Sequence, residues 1–212
     1  MIVYMTENGK YFPPNAEKPR GLYVNLTNRC NNDCPFCLRQ KKVMTAENSL
    51  WLESEPTVDE VKKELDAAPW QVVKEIVFCG FGEPTIRLAE LLEILKYVKK
   101  IRPQIPTRLN TNGLGNLEHG RNIEQDFEKI LDTASISLNA ATAERYLQIT
   151  RSKFGLQAYG AMLDFAENMK KFVPHVVLTI VDKVTPPAEI EQCKKICEER
   201  GLTLRIRPYE DN

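Results

Sequence analysis

The chain carries no net charge, with 29 lysines and arginines against 29 aspartates and glutamates in 212 residues. That balance removes the overall electrostatic footprint by which proteins hold nucleic acid through its phosphates, although a local basic patch stays compatible with it. Long apolar runs are missing too, and Met1-Ile-Val-Tyr-Met-Thr-Glu lacks the charged-then-apolar pattern of an export signal. No membrane span is expected, and the expected location is the cytoplasm. Histidine is scarce: His119 in a polar loop and His175 before a strand show no partner pattern. Fixed-period repeats and low-complexity tracts are absent, so the length is most simply one domain with a proper core.

Cysteine is the residue that is present with a pattern. Three of the six fall in Cys30-Asn-Asn-Asp-Cys34-Pro-Phe-Cys37, directly after a strand-like segment, Gly21 to Thr27. Six cysteines in an exported chain would suggest disulfides, whereas three crowded on one loop without an export signal point to reduced thiols and metal. An iron–sulfur cluster needs several thiolates around one inorganic core, and short irregular spacings let one loop wrap it. Three thiols would leave one iron of a four-iron cluster open to a small molecule. Zinc would want a fourth Cys or His nearby, and Cys79 and His119 are far away in sequence. The cluster reading therefore leads over a structural zinc loop and over a chance grouping.

Around this loop, strand-like and helical segments alternate. Residues 1–12 read as a hairpin in which Asn8-Gly9 turns between Val3-Tyr4-Met5 and Tyr11-Phe12. Strands are expected at 22–27, 75–79, 107–111, 134–138, 176–181 and 203–207. Helices are expected at 57–68, 88–101, 123–131, 143–149 merging toward 154–171, and 187–199. Thr57 and Glu60 make a capping-box start, and Gly201 sits where a helix should stop. About six β/α units with connections this short require parallel strands and right-handed crossovers. Periodicity leaves open whether the sheet is a partial barrel or doubly wound. Residues 41–56, punctuated by Asn48-Ser49, read as a polar loop carrying one apolar plug, Leu50-Trp51-Leu52.

Ligands of parallel α/β folds collect at the carboxyl ends of strands. The first strand ends in the cysteine loop. The second ends in Cys79-Gly80-Phe81-Gly82-Glu83-Pro84, where glycines permit close backbone approach and Pro84 stiffens the exit. Taken alone, that turn equally describes an ordinary strand-to-helix connection. The third ends in Asn110-Thr111-Asn112-Gly113, either a polar lip or a plain turn signal. On the fourth, Ser135, Ser137 and Asn139 share one face, and the fifth ends in Ile180-Val181-Asp182-Lys183. Cys193 and Cys197 belong to one apolar helix stripe with Ile190 and Ile196 and read as core, as does Cys79. Lys41-Lys42 and Lys99-Lys100 read as solvated pairs.

The C-x3-C-x2-C run with an aromatic before its last cysteine, followed one β/α unit later by Gly-x-Gly-Glu-Pro, resembles the radical S-adenosylmethionine (SAM) superfamily over essentially the whole chain. Residues 22–39, the turn from Gly80 to Thr85 and the short length are similar to the small members described as TatD-family-associated. The resemblance implies an α/β fold, a partial (β/α)6 barrel of parallel strands with a small N-terminal β-hairpin. It implies a single domain, 1–212, with residues 1–20 as hairpin and lead-in. A 4Fe-4S cluster would sit on Cys30, Cys34 and Cys37, with SAM on the open iron. Gly80, Phe81, Gly82, Glu83 and Pro84 would hold the SAM amino group, Phe81 standing where the family has its first glycine. Asn110 and Asn112 would bond the ribose or carboxylate, and Ser137 and Asn139 would contact SAM, with Arg145 or Arg151 either as carboxylate partners or equally as solvated helix-surface residues. Phe36, Ile180 and Val181 would flank the adenine, although Ile180 and Val181 each read more simply as ordinary strand core. The implied chemistry is reductive cleavage of SAM to a 5′-deoxyadenosyl radical that takes hydrogen from a substrate. The implied partners are a low-potential electron donor of flavodoxin or ferredoxin type, a small or medium-sized substrate and a TatD-family protein. Neither a membrane nor nucleic acid is an expected partner. Two narrower activities stay open, an enzyme like 7-carboxy-7-deazaguanine synthase and a glycyl-radical activase of a partner protein. An iron–sulfur or zinc module without turnover is the alternative from a different class. Because the chain ends soon after its sixth strand, no auxiliary-cluster domain is expected.

Overall fold

The computed structural model describes residues 1–7, 10–15, 17–41, 44–45 and 49–209. An antiparallel pair, β1 (Val3–Glu7) and β2 (Lys10–Phe12), opens the chain with Glu7 opposite Lys10. The turn expected at Asn8-Gly9 lies outside the described residues. Six parallel strands follow: β3 (Arg20–Val24), β4 (Val73–Phe78), β5 (Thr107–Thr111), β6 (Thr133–Ser137), β7 (His175–Val181) and β8 (Thr203–Arg207). The sheet order is β2-β1-β3-β4-β5-β6-β7-β8, with β1 antiparallel to β3. It is an unclosed, mostly parallel sheet, the partial barrel expected from the sequence. Each of the six strands leads upward to the same rim.

The helices are α1 (Leu38–Lys41), α2 (Val58–Asp66), α3 (Leu88–Ile101), α4 (Gly115–His119), α5 (Ala143–Thr150), α6 (Gln157–Met169) and α7 (Pro187–Glu199). Strand alternation decides the two faces. Leu22, Val24, Ile76, Phe78, Leu109, Ala134, Ile136 and Leu178 enter one core with the helices. Against it α3 buries Leu88, Leu91, Ile94, Leu95 and Val98, a stripe at three- and four-residue spacing. Full burial of each such side chain stabilises by about 1.5–3 kcal/mol. Thr57 and Glu60 form the expected capping box of α2. Beyond α7, Gly201 has φ +59°, and the Leu202 N–H donates to the Cys197 carbonyl at 2.8 Å, which ends the helix where expected. None of these helices is long and apolar enough to cross a membrane.

Two expectations need correction. The helix expected over 123–131 is only a 3-10 turn, Glu124–Phe127, because Lys129 adopts a left-handed backbone with φ 65° and halts propagation. Ile123, Phe127 and Leu131 are nonetheless buried, which is why their spacing reads as helical. The merger of α5 into α6 does not occur either. Arg151 (φ 49°) and Gly155 (φ 67°) break the chain between them, and that break positions part of the site.

Candidate functional site

β3 delivers the chain into the cysteine loop, and neighbouring elements fix that loop from several sides. At the α5–α6 break, the Asp33 N–H donates to the Thr150 carbonyl at 2.8 Å, and the Lys153 N–H to the Asn31 carbonyl at 2.9 Å. Arg39 of α1 turns back and donates to the carbonyls of Asn28 (3.3 Å) and Asn32 (3.2 Å). From the end of β5, the Asn112 amide donates to Asn31 Oδ1 and reaches Cys30 Sγ at 3.9 Å. Cys30, Cys34 and Cys37 are free and half-buried. Phe36, between the last two, is half-buried and packs on the core.

Burial pushes the Cys30 thiol up to about 11, with Glu83 adding to the rise and the Asn32 N–H opposing it. Cys34 is pushed up to about 12, by burial first and then by Cys37 and Cys30. Cys30 and Cys34 thus both sense the charge of the neighbouring Cys37 sulfur. Those two thiols stay protonated unless a cation stabilises the thiolates, as an iron core would. Among the described residues no three His, Cys, Asp or Glu side chains converge on one ion-sized point. Thiolates that each take a separate iron have no need to converge in that way. The donor set therefore fits a multi-iron core bound through three cysteines.

The β4 turn lies directly against this loop. The Glu83 N–H donates to the Arg29 carbonyl at 2.8 Å. Glu83 is buried, and its Oε1 accepts from Thr85 N (3.1 Å), Thr85 Oγ1 (2.8 Å) and Thr111 Oγ1 (2.7 Å). Its Oε2 accepts from Asn112 N at 2.7 Å, and this leaves that oxygen a lone pair for a further donor. Burial pushes the carboxyl above its ordinary value, against these four bonds. The group clamps the ends of β4 and β5 together. Pro84 opens a 3-10 turn, Pro84–Arg87, and His119 Nε2 lies 2.7 Å from the Thr85 carbonyl, a partner the sequence did not disclose. Arg87, also unseen in the sequence, donates to the Leu26 (3.0 Å) and Pro56 (2.7 Å) carbonyls and so ties the loops around the site.

The remaining candidates divide. Asn112 meets the cysteine loop, and half-buried Asn110 keeps a buried Oδ1 without a hydrogen-bond partner. Ser137 is half-buried at the end of β6. Asn139, buried at φ 58°, is held by the Thr185 hydroxyl on its carbonyl at 2.9 Å. Val181 alternates onto the face opposite the helices, while Ile180 is fully buried in the helix-side core, in keeping with the strand-core alternative for it. The Phe81 ring leaves the rim and joins Tyr4, Tyr11 and Leu50, with Trp51 at 6.4 Å. The glycine-to-phenylalanine departure thus faces the hairpin. Arg145 is engaged by Glu189 at 3.5 Å, while Arg151 approaches Asp33 of the cysteine loop at 3.8 Å. Cys193 and Cys197 are core, as expected, and Lys99 is paired with Asp132 at 2.5 Å, contrary to its reading as solvated.

A profile described as Radical SAM superfamily matches residues 24–197. A GTP 3′,8-cyclase of Corynebacterium glutamicum is 35% identical over 194 residues, covering 88% of this chain and 48% of that protein. A probable GTP 3′,8-cyclase of Thermococcus kodakarensis is 28% identical over 191 residues, covering 89% and 56%. The chain spans about half the length of the curated relatives it matches. Among solved structures, a radical SAM methyltransferase from Sphaerobacter thermophilus superposes with a TM-score of 0.64 at 15% identity, over 97% of this chain and 72% of that one. Streptococcus suis SuiB bound to S-adenosylmethionine gives 0.65 at 16% identity, over 92% and 40%. These structural likenesses speak to the fold alone.

Proposed function

Because this chain belongs to the radical SAM superfamily, we propose that it is an enzyme that cleaves SAM reductively and uses the resulting radical to take hydrogen from a substrate. Members of the superfamily use a 4Fe-4S cluster and SAM, which when bound supply the radical chemistry. The chain's own residues bind, orient and exclude water. Cys30, Cys34 and Cys37 would hold the cluster. The Gly80–Pro84 backbone and the open lone pair of Glu83 Oε2 would receive the SAM amino group, with Asn110, Asn112, Ser137, Asn139 and Val181 around the rest. The observation that carries this reading is the junction of three segments distant in sequence. The cysteine loop, the Glu83 turn and Asn112 are hydrogen-bonded into one rim through Arg29, Thr111 and Asn31.

The names of the sequence relatives make a guanine nucleotide the first substrate to test. A flavodoxin- or ferredoxin-type donor, a TatD-family partner, a cytoplasmic location and a single domain over 1–212 complete the proposal. A binding module without turnover is the less favoured reading, since the named relatives are enzymes. Anaerobic reconstitution should load about four iron per chain through three thiolates. The reduced protein should then release 5′-deoxyadenosine from SAM. Cys30→Ala, Cys34→Ala and Cys37→Ala should each abolish the cluster and Cys193→Ala should not; equal loss in both groups would remove the assignment.

A further inference from the structure

The sheet face opposite the helices carries charge that the cofactor rim does not use. Leu109 of β5 faces the helix-side core and Leu204 of β8 packs against it, so Arg108, Arg205 and Arg207 alternate onto the concave face. β5 and β8 are three strands apart in the sheet, yet curvature brings their arginines within electrostatic reach of one another. Arg205 Nη2 donates to Ser135 Oγ of β6 at 3.3 Å. Arg205 stays exposed to solvent, and its guanidinium is held below its ordinary pKa by partial desolvation and then by repulsion from Arg108 and Arg207. Burial raises the Cys79 thiol, which follows β4 next to Gly80 of the rim, and a hydrogen bond from the Asn110 side chain and then the charges of Arg207 and Arg108 oppose that rise.

One carboxylate answers these three cations. Glu75 of β4 pairs with Arg108 at 2.9 Å, while neither Arg205 nor Arg207 forms an ion pair among the described residues. Two polar atoms of the same face are also unpaired: Arg108 Nε and Asn110 Oδ1 are buried without a hydrogen-bond partner. Three guanidinium groups gathered in a chain of zero net charge are a local concentration that folding alone does not reward. Planar guanidinium forks match carboxylate and phosphate oxygens in pairs.

We propose that the concave face beneath the cofactor rim is a substrate subsite, in which Arg205 and Arg207, with Arg108, hold a phosphate or carboxylate group, and Asn110 accepts a hydrogen bond from the same molecule. This rests on the radical SAM reading, because its use is to place an anionic substrate beside SAM. The substrate class is then an anion anchored on the concave face rather than an uncharged molecule.

The test is equilibrium binding of inorganic pyrophosphate and, separately, succinate to the anaerobically reconstituted protein, its Arg205→Gln and Arg207→Gln variants and the double variant. The wild type should bind at least one probe, pyrophosphate if the group is a phosphate and succinate if it is a carboxylate. Each single variant should weaken that binding by about tenfold, the loss of one charge-assisted pair, and the double variant by more. Iron content and SAM affinity, measured on the same samples, should stay constant. No binding of either probe, or binding unchanged in the double variant, overturns the subsite. A parallel loss of SAM affinity also overturns it, since it would assign the arginines to the cofactor. Failure of the wild type to load iron or cleave SAM would instead overturn the cofactor reading, and probe binding would still report on the arginines.

Discussion

A Cβ at Gly82 would lie 2.5 Å from the Arg29 carbonyl oxygen and closer still to that of Thr27, both backbone atoms of the cysteine-loop segment. Backbone cannot yield as a flexible side chain can, so the turn and the loop must part. In the sequence, Gly82 marks only a close approach to a ligand, and a substitution there would be expected to block SAM alone. The structure places the close approach inside the protein, between the two halves of the site. Gly82→Ala should therefore lower iron content and SAM affinity together. Gly80→Ala meets the Asn25 side chain instead, and should spare iron while loosening the Leu50 carbonyl that Asn25 holds at 2.6 Å. Iron assay and SAM titration on both variants decide the matter; full iron in Gly82→Ala would show that the two halves are independent. Glu83 teaches a similar lesson. Its presence in the turn is legible, but its four bonds to Thr85, Thr111 and Asn112 depend on β4 and β5 being neighbours.

At the scale of elements, Asp132 joins three of them. It opens the approach to β6, bonds Lys99 of α3 at 2.5 Å, and accepts from the Thr107 N–H of β5 at 2.6 Å. Burial alone would raise its carboxyl, but the Lys99 ammonium and the Thr107 N–H and hydroxyl outweigh it and hold the group below its ordinary value. A depressed folded pKa stabilises fully above the unfolded carboxyl value of about 3.9, and that stabilisation disappears as pH falls through the lower folded value. Thermal midpoints should therefore decline more steeply on acidification below about pH 4 in the wild type than in Asp132→Asn. Parallel declines would show that the carboxyl is not linked to folding. The extents of β5, β8, α3 and α7 match the sequence expectation because apolar spacing, Pro187 and Gly201 all agree there. The four-residue α1 and five-residue α4 were not legible, since neither completes the two turns that periodicity needs. Likewise, alternation on β5 and β8 shows that Arg108, Arg205 and Arg207 share a face. That they meet across one concavity follows only from the curvature of the whole sheet.

For the whole molecule, the open barrel leaves a rim that something must cover, because water at a reacting centre competes with substrate. Segment 50–52 is placed for this. Leu50 and Leu52 are buried, and the Asn25 and Asn28 amides hold their carbonyls at 2.6 and 2.7 Å. The Leu52 N–H returns a bond to Asn28 Oδ1 at 3.1 Å. Asn25 and Asn28 flank the start of the cysteine loop, so the segment is tied to the rim itself. Between its two anchors Trp51 is 56% exposed, beside Phe81 of the Gly80–Pro84 turn. A large indole left in solvent between two buried leucines, in a segment tied to the residues that lead into the cysteine loop, is an apolar group awaiting a surface. Of the apolar plug read in the sequence, the two leucines are buried and the tryptophan is not, as a group free to close over the opening requires. Trp51 should close over SAM or substrate. The other tryptophan, Trp70, bonds the Leu65 carbonyl at 2.8 Å beyond α2, so a Trp70→Phe background isolates the signal. In that background Trp51 emission should shift to shorter wavelength or quench on binding SAM, and Trp51→Ala should weaken SAM or substrate binding without lowering iron content. Identical spectra with and without ligand, in protein shown to bind it, would mean that the indole stays in solvent and that the opening is covered by the substrate or by another chain.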